Sequence, residues 1–371
     1  MSRSRHFVAA AALVIGVVAC GGDGTSAPTV VPTTSAVATT AAATTTVAPT
    51  TTLAATTTTE VPLPVYPLTG LPVTDPAVAL RPALVVKIDN NALARPQSGL
   101  NQADIVFEEI VEVQTRFAAV FQSQGADPVG PVRSGRTQDV LLLGSLNSPL
   151  FMWSGGNGNV TRAIEGSDFV NLSAQRSNVY KAAGFFRSNE RRNPHDLYAA
   201  TTGAWTLAPE GASAPPQQFL YRRQDDLPVG EATAGVDLNM DGLPIEWRFD
   251  APSGAYLRSN NGVPHMDALS GQVSTENVVV MFVDYQPSPA DNRSPEAQTI
   301  GTGEAWLFTG GVLARGTWTR NDRLSAIVLH DAAGATIPLT PGRTFIELAR
   351  VATANAISRG EGRVLGVPGS G

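Results

Sequence analysis

The sequence predicts an α+β protein, with a mixed α/β N-terminal domain and a β-rich C-terminal domain behind a disordered Thr/Ala/Pro-rich tether. Three observations carry this. From residue 62 to 210, apolar β-branched runs alternate with helix-start signals, whereas from 211 to 352 short alternating runs follow one another with turns between them. Residues 20–61 hold no charge between Asp23 and Glu60, and too few large apolar side chains to offset the entropy of ordering. The single cysteine, Cys20, leaves no disulfide to brace the fold, so stability must come from buried apolar area.

Residues 1–19 read as a secretory signal peptide. Arg3 and Arg5 precede an apolar stretch from Phe7 to Ala19, which at about 13 residues is too short for a bilayer core of about 30 Å. Val17-Val-Ala-Cys20 has the form of a bacterial lipobox. It predicts acyl chains on Cys20 that hold the protein on the outer face of the plasma membrane. Prolines bias the tether toward extended polyproline II, and its Ser/Thr content fits an O-glycosylated stalk and a bare spacer equally well. No second apolar stretch is long enough to cross a membrane.

Ala83 to Asp89 has the β-branched density of a buried strand, and Asp104–Glu112 and Thr115–Gln122 lie close enough to form a hairpin. A helix over 138–145, a strand over 149–153 and a glycine-rich turn over 154–158 follow. Asn193 as N-cap, Pro194 at the first helical position and Asp196 at the positive end of the dipole predict a helix from there to about Trp205. The Ala/Pro/Gly/Ser stretch from Ala208 to Pro216 marks the domain boundary. Beyond it Ile245–Asp250 alternates inward and outward side chains, and strand-like runs recur at 278–283, 305–308, 313–318, 326–329 and 344–348. Residues 353–371 read as a disordered tail.

The net charge of −6 and the pI near 5.3 exclude a nucleic-acid partner, which needs a basic face. The strongest candidate for chemistry is Arg133-Ser134-Gly135-Arg136, directly before a helix. Two guanidiniums, a hydroxyl and free backbone N–H groups there can converge on one anion. In the competing reading both arginines are spent on salt bridges to Asp89, Glu108 or Glu112. Those three are the candidate catalytic or pocket carboxylates; strand alternation puts Glu108 and Glu112 on one face and Glu109 on the other. Paired carboxylates can supply the acid and base of glycoside hydrolysis, and exposed strand faces are the alternative. Arg116 lies opposite them if the hairpin forms.

His195 can donate to an anion or act as a general base, or simply cap a helix against Tyr198. No His-Glu-x-x-His and no Gly-x-Ser-x-Gly motif occurs. His265-Met-Asp267 offers two metal ligands, too few for a site. Asp237, Asn239 and Asp241 match the first half of a calcium loop, but its twelfth position is Arg248, where a carboxylate is needed. A hairpin turn is the competing reading there, and neither a metal nor a cofactor is predicted.

Several runs resemble the YerB-like bacterial lipoproteins: Pro67-Leu-Thr-Gly-Leu-Pro72, Lys87-Ile-Asp-Asn90, Arg95-Pro-Gln-Ser-Gly-Leu-Asn-Gln-Ala-Asp104, Thr115-Arg-Phe-Ala-Ala-Val-Phe121, Gly130-Pro-Val-Arg-Ser-Gly-Arg136 and Pro194-His-Asp-Leu-Tyr198. Gly316-Thr-Trp-Thr-Arg320 and Leu339-Thr-Pro-Gly-Arg-Thr-Phe345 resemble that family's C-terminal domain. The likeness runs in order through residues 65–350, departing at Gly135, where the pattern has Ala, and at Asp196, where it has Asn. It implies a two-domain surface lipoprotein and no particular activity. With the residues themselves it points to a module that binds an anionic cell-envelope ligand or a protein partner through Arg133, Ser134, Arg136, Arg116 and His195. Two alternatives stand beside it. One is an enzyme on envelope glycan or phosphate polymer, with Asp89, Glu108 and His195 as acid/base candidates; the other is a structural scaffold. Convergence of these side chains on one cleft favours ligand or catalysis.

Overall fold

The computed structural model describes residues 64–223 and 225–359. The signal peptide, Cys20 and the tether lie outside the described residues, as does the chain beyond residue 359. The helices are short: α1 Pro76–Leu80, α2 Thr137–Leu142, α3 Gly158–Glu165, α4 Ser177–Ala182 and α5 Thr201–Trp205. Among the described residues no helix is long and apolar enough to cross a membrane.

Five strands organise the first half: β1 Leu84–Asp89, β2 Ile105–Val111, β3 Gln114–Phe121, β4 Leu150–Trp153 and β5 Val170–Ser173. The hairpin forms as expected, with β2 and β3 antiparallel and Glu109 opposite Arg116. β1 pairs antiparallel with β3 and parallel with β4, and β5 adds parallel to β4. In the second half, strands Glu231–Met240, Leu243–Asp250 and Ala255–Asn260 form a meander. Gly301–Thr309 and Val312–Arg320 form a long hairpin beside Asn277–Phe282. The strand Thr344–Ala349 lies between Asn277–Phe282 and β2, parallel to both, so one sixteen-stranded sheet runs through both halves. The composition break at 208–216 divides the chain without dividing the sheet.

β1 is buried on both faces, as a strand covered from both sides must be. Leu84, Val86 and Ile88 enter a core with Phe117, Phe121 and Trp247, while Ala83 and Val85 enter another with Leu142, Phe151 and Ile164 beneath α2 and α3. This alternation sorts the polar side chains as well. Lys87, Asp89, Glu109 and Arg116 share the α2/α3 face, and Glu108 and Thr115 share the other.

Three expectations need correction. β2 is wholly buried, so its carboxylates do not decorate an exposed face. Residues 193–196 do not start a helix, because tertiary partners outcompete the local cap signals. Asp196 binds Arg187 (2.5 Å) instead of capping, and its carbonyl accepts from Ser188. Leu197–Tyr198 then pairs with Phe186–Arg187, and the helix waits until Thr201. Ala354–Ser358, placed in the disordered tail, adds as an antiparallel strand to Glu231–Met240. The calcium-loop residues sit on a hairpin whose turn uses left-handed Asp241 and Gly242. Asp237 there binds Arg248 (2.5 Å), Asp241 binds Arg350 (2.7 Å), and Asn239 Oδ1 accepts from the Gly242 N–H, so the three do not converge on a cation.

Candidate functional site

The site lies beyond the carboxyl ends of the parallel strands β1, β4 and β5, the edge where loops of open α/β sheets gather ligands. Asp89 ends β1, and the loop carrying Arg133 crosses it. The Asp89 N–H donates to the Pro131 carbonyl (2.9 Å) and the Arg133 N–H to that of Lys87 (2.8 Å). Three residues on, Arg136 is the N-cap of α2. From the end of β4, Ser154-Gly-Gly-Asn157 leads into α3, with the Asn157 side chain accepting from the N–H groups of Asn159 and Val160. The glycine-rich run expected to be a plain turn is therefore a helix lead-in. Gly155 has φ +117°, and a Cβ there would stand 2.4 Å from Gln175 Nε2, so only glycine fits. Arg116, Arg133, Ser134, Arg136, Ser154–Asn157 and Arg187 line an open cleft of about 480 Å³.

Ion pairs fix two of the arginines. Asp89, fully buried, accepts on Oδ2 from Arg133 Nε (2.9 Å) and from His195 Nδ1 (2.7 Å), while its Oδ1 takes the Asn91 N–H. Arg136 Nη2 donates to both oxygens of Glu112, at 2.9 and 2.8 Å. Burial pushes the Glu112 carboxyl up, but the Ser294 hydroxyl and Arg136 more than offset it and hold it below the usual carboxylate value.

Arg116 differs. Only 4 % exposed, it donates from Nη1 to the Ser134 carbonyl (3.1 Å), and among the described residues its Nε, like that of Arg136, has no partner. Among the described residues no carboxylate forms an ion pair with it. Burial, then the neighbouring guanidiniums of Arg136 and Arg133, lower its pKa to about 10, which still leaves it charged at neutral pH. Four guanidiniums (Arg116, Arg133, Arg136 and Arg187) thus face three carboxylates (Asp89, Glu112 and Asp196).

A second layer holds these groups in place. Lys87, fully buried, donates to Asp139 (2.8 Å) and to Glu109; Gln138 also donates to Glu109, and Asp139 accepts the Arg136 N–H (2.6 Å). These bonds clamp the first turn of α2 to β1 and β2. Burial and the adjacent Asp139 raise the Glu109 pKa.

The structure thus brings Arg116, Arg133, Ser134 and Arg136 together, with His195 one bond behind through Asp89 and Glu112 one bond behind through Arg136. Glu108 is elsewhere. It points through the opposite face, accepting from Arg258 Nη2 (2.6 Å), Thr115 Oγ1 (2.6 Å) and Asn90 (3.0 Å). Nor does Glu112 share its face, because a left-handed backbone at Glu112 (φ 33°) ends the alternation. The salt-bridge reading of Arg133 and Arg136 is realised with Asp89 and Glu112. Sequence reasoning missed Ser154–Asn157 and Arg187. Asn157 as N-cap before Val160 and Ile164, four apart, was the available signal for α3.

The profile "Protein of unknown function (DUF3048) N-terminal domain" matches residues 68–213, and its C-terminal counterpart matches residues 236–346. A Bacillus subtilis (strain 168) protein named "Putative lipoprotein YerB" is 31% identical over 307 residues, spanning 80% of this chain and 89% of that protein. The chain belongs to this family. The crystal structure of YerB from Bacillus subtilis superposes with a TM-score of 0.67 at 26% identity, covering 79% of this chain and 99% of that one. Every arginine of the cleft falls within the N-terminal match.

Proposed function

We propose that this family member is an exported lipoprotein, anchored through Cys20, that binds an anionic envelope ligand in the arginine cleft. One observation carries the reading: Arg116 is a buried guanidinium with an unused N–H and no carboxylate partner, set between two further arginines at a ligand-gathering edge. Burying a charge without a counter-ion is costly, and a bound carboxylate or phosphate relieves that cost. An acidic side chain of a protein partner supplies the same chemistry.

The test is titration calorimetry of the full chain with poly(glycerol phosphate) at low salt. Arg116→Ala is expected to weaken binding about 30- to 100-fold, the equivalent of roughly 2–3 kcal/mol for charge-assisted hydrogen bonds. Affinity unchanged in the variant would overturn the reading.

The Asp89–His195 pair supports a second reading. Asp89 accepts from His195 Nδ1 at 2.7 Å, which fixes the tautomer and leaves Nε2 free to take or give a proton. If the cleft also cleaves its ligand, His195→Ala is expected to retain the polymer but release no product from it. A wild type that releases none leaves the binding module standing alone.

A further inference from the structure

The arginine cleft does not end at Asn157. That residue also rims a second depression of about 580 Å³, lined by Gly158, Asn159 and the turn Ala290–Arg293. Its far wall is a hairpin, Tyr285–Ser288 against Asp291–Ala297, which the sequence reading did not anticipate. The hairpin is tied to the cleft at three points. Asn159 Nδ2 donates to the Ala290 carbonyl (3.2 Å), Thr137 and Ser288 share a hydrogen bond (2.6 Å), and the Ser294 hydroxyl donates to Glu112, the carboxylate that orients Arg136. The two hollows therefore adjoin across Asn157.

Their chemistries differ. The cleft holds an excess of guanidinium, whereas the charges of the second hollow, Asp291 and Arg293, pair with each other (3.4 Å). What it presents otherwise is carboxamide: Asn157 and Asn292, with Asn159 between them engaged by the Ala290 carbonyl and by Arg162. A carboxamide both donates and accepts, the capacity that matches a hydroxyl. Among the described residues, the amide nitrogen of Asn157 and the whole side chain of Asn292 have no hydrogen-bond partner. A small inorganic anion would fill the first hollow and leave the second unused.

Resting on the anion-binding reading above, we propose that the ligand is a hydroxylated chain, a glycan or polyol, bearing anionic groups. One anion sits among Arg116, Arg133 and Arg136, and the adjoining hydroxylated unit lies over the start of α3 against Asn157 and Asn292. Uronate carboxylate and phosphodiester serve the cleft equally, so both are probed. The full chain is titrated with galacturonate and tetragalacturonate, and in parallel with glycerol phosphate and a short poly(glycerol phosphate).

The chain that matches is expected to bind at least about tenfold more tightly than its single unit. In the variant Asn292→Ala that advantage is expected to shrink to about twofold, with affinity for the single unit unchanged. Asn292→Asp, which places a negative charge beside an anionic chain, is expected to weaken the chain and spare the unit. Chains no tighter than their units, or an advantage untouched by these variants, would overturn the proposal while leaving the anion site intact. Failure of every anion, long or short, would sink the anion site as well.

Discussion

Replacing Arg258 with methionine is expected to destabilise the folded chain by about 3–5 kcal/mol, the usual cost of stripping one partner from a buried ionic cluster. Arg258 is fully buried. Its Nη2 donates to Glu108 (2.6 Å), its Nη1 to Asn260 (2.6 Å) and His265 Nδ1, and its Nε lies 3.9 Å from Glu347. The aromatic rings of Phe117, Trp247 and Phe345 surround the guanidinium at 5.6–5.8 Å. Burial, with Arg258 and Arg95 nearby, holds His265 neutral, so it accepts on Nδ1 and donates on Nε2 to Gln97 (2.7 Å). Without Arg258, Glu108 loses the cation it is paired with, beside a Glu347 that stands opposite it in the sheet. Urea denaturation at pH 7 measures the effect. A loss below about 1 kcal/mol would mean that Glu108 takes up a proton of its own once its cation is gone.

The same cluster sets a pH dependence. Burial, and then the nearby Glu108, raise the Glu347 pKa well above its ordinary 4.5, despite the opposing pull of Arg258 and the Trp247 N–H. The folded chain therefore keeps a proton that an unfolded glutamate has released. Stability is highest near and below 4.5 on this account and falls as pH rises from there toward the raised folded value. Glu347→Gln imitates the protonated acid, offering Glu108 an N–H in place of the O–H. At pH 8 the variant is expected to melt higher than the wild type, by roughly 3 °C or more, and at pH 5 to melt at the same temperature. Glu109, raised by burial and Asp139, leaves a residual slope in both proteins. A variant less stable at pH 8 would show that Glu347 is needed as an anion.

Much of this was legible because it depends on local pattern. The dense branched run at 84–89 could only be an interior strand, the β2–β3 hairpin followed from two such runs with a short gap, and the arginines at 133 and 136 drew attention by standing before a helix. Side chains were misplaced where one residue of backbone geometry decides the outcome. The left-handed Glu112 swings a carboxylate away from Glu108's side of the sheet. His195 reaches Asp89 from a segment whose cap signals promised a helix, because Arg187 and the Phe186–Arg187 strand claim the groups such a helix would have used. Glu108 looked like a neighbour of Asp89, yet the pleat sends the two through opposite faces. Its partner Arg258 is distant in sequence, and nothing near either residue announces the pairing. Arg116 gave the least warning. Its importance comes from what it lacks, and a missing counter-ion is visible only in three dimensions.

The placement of Thr344–Ala349 between β2 and Asn277–Phe282 also bears on how the protein is made. The last strand to be synthesised in this pairing sits in the middle of the sheet, so the earlier strands on either side of it have no direct ladder to each other. Until that segment arrives, β2 presents an open edge, and side-chain contacts such as Arg258 to Glu108 are all that can join the two parts of the sheet. Closure must wait for contacts of very long sequence separation, which are slow to form. A chain wired in this way stays incomplete through most of its synthesis, and its two halves join into one sheet only when Thr344–Ala349 slides into the gap.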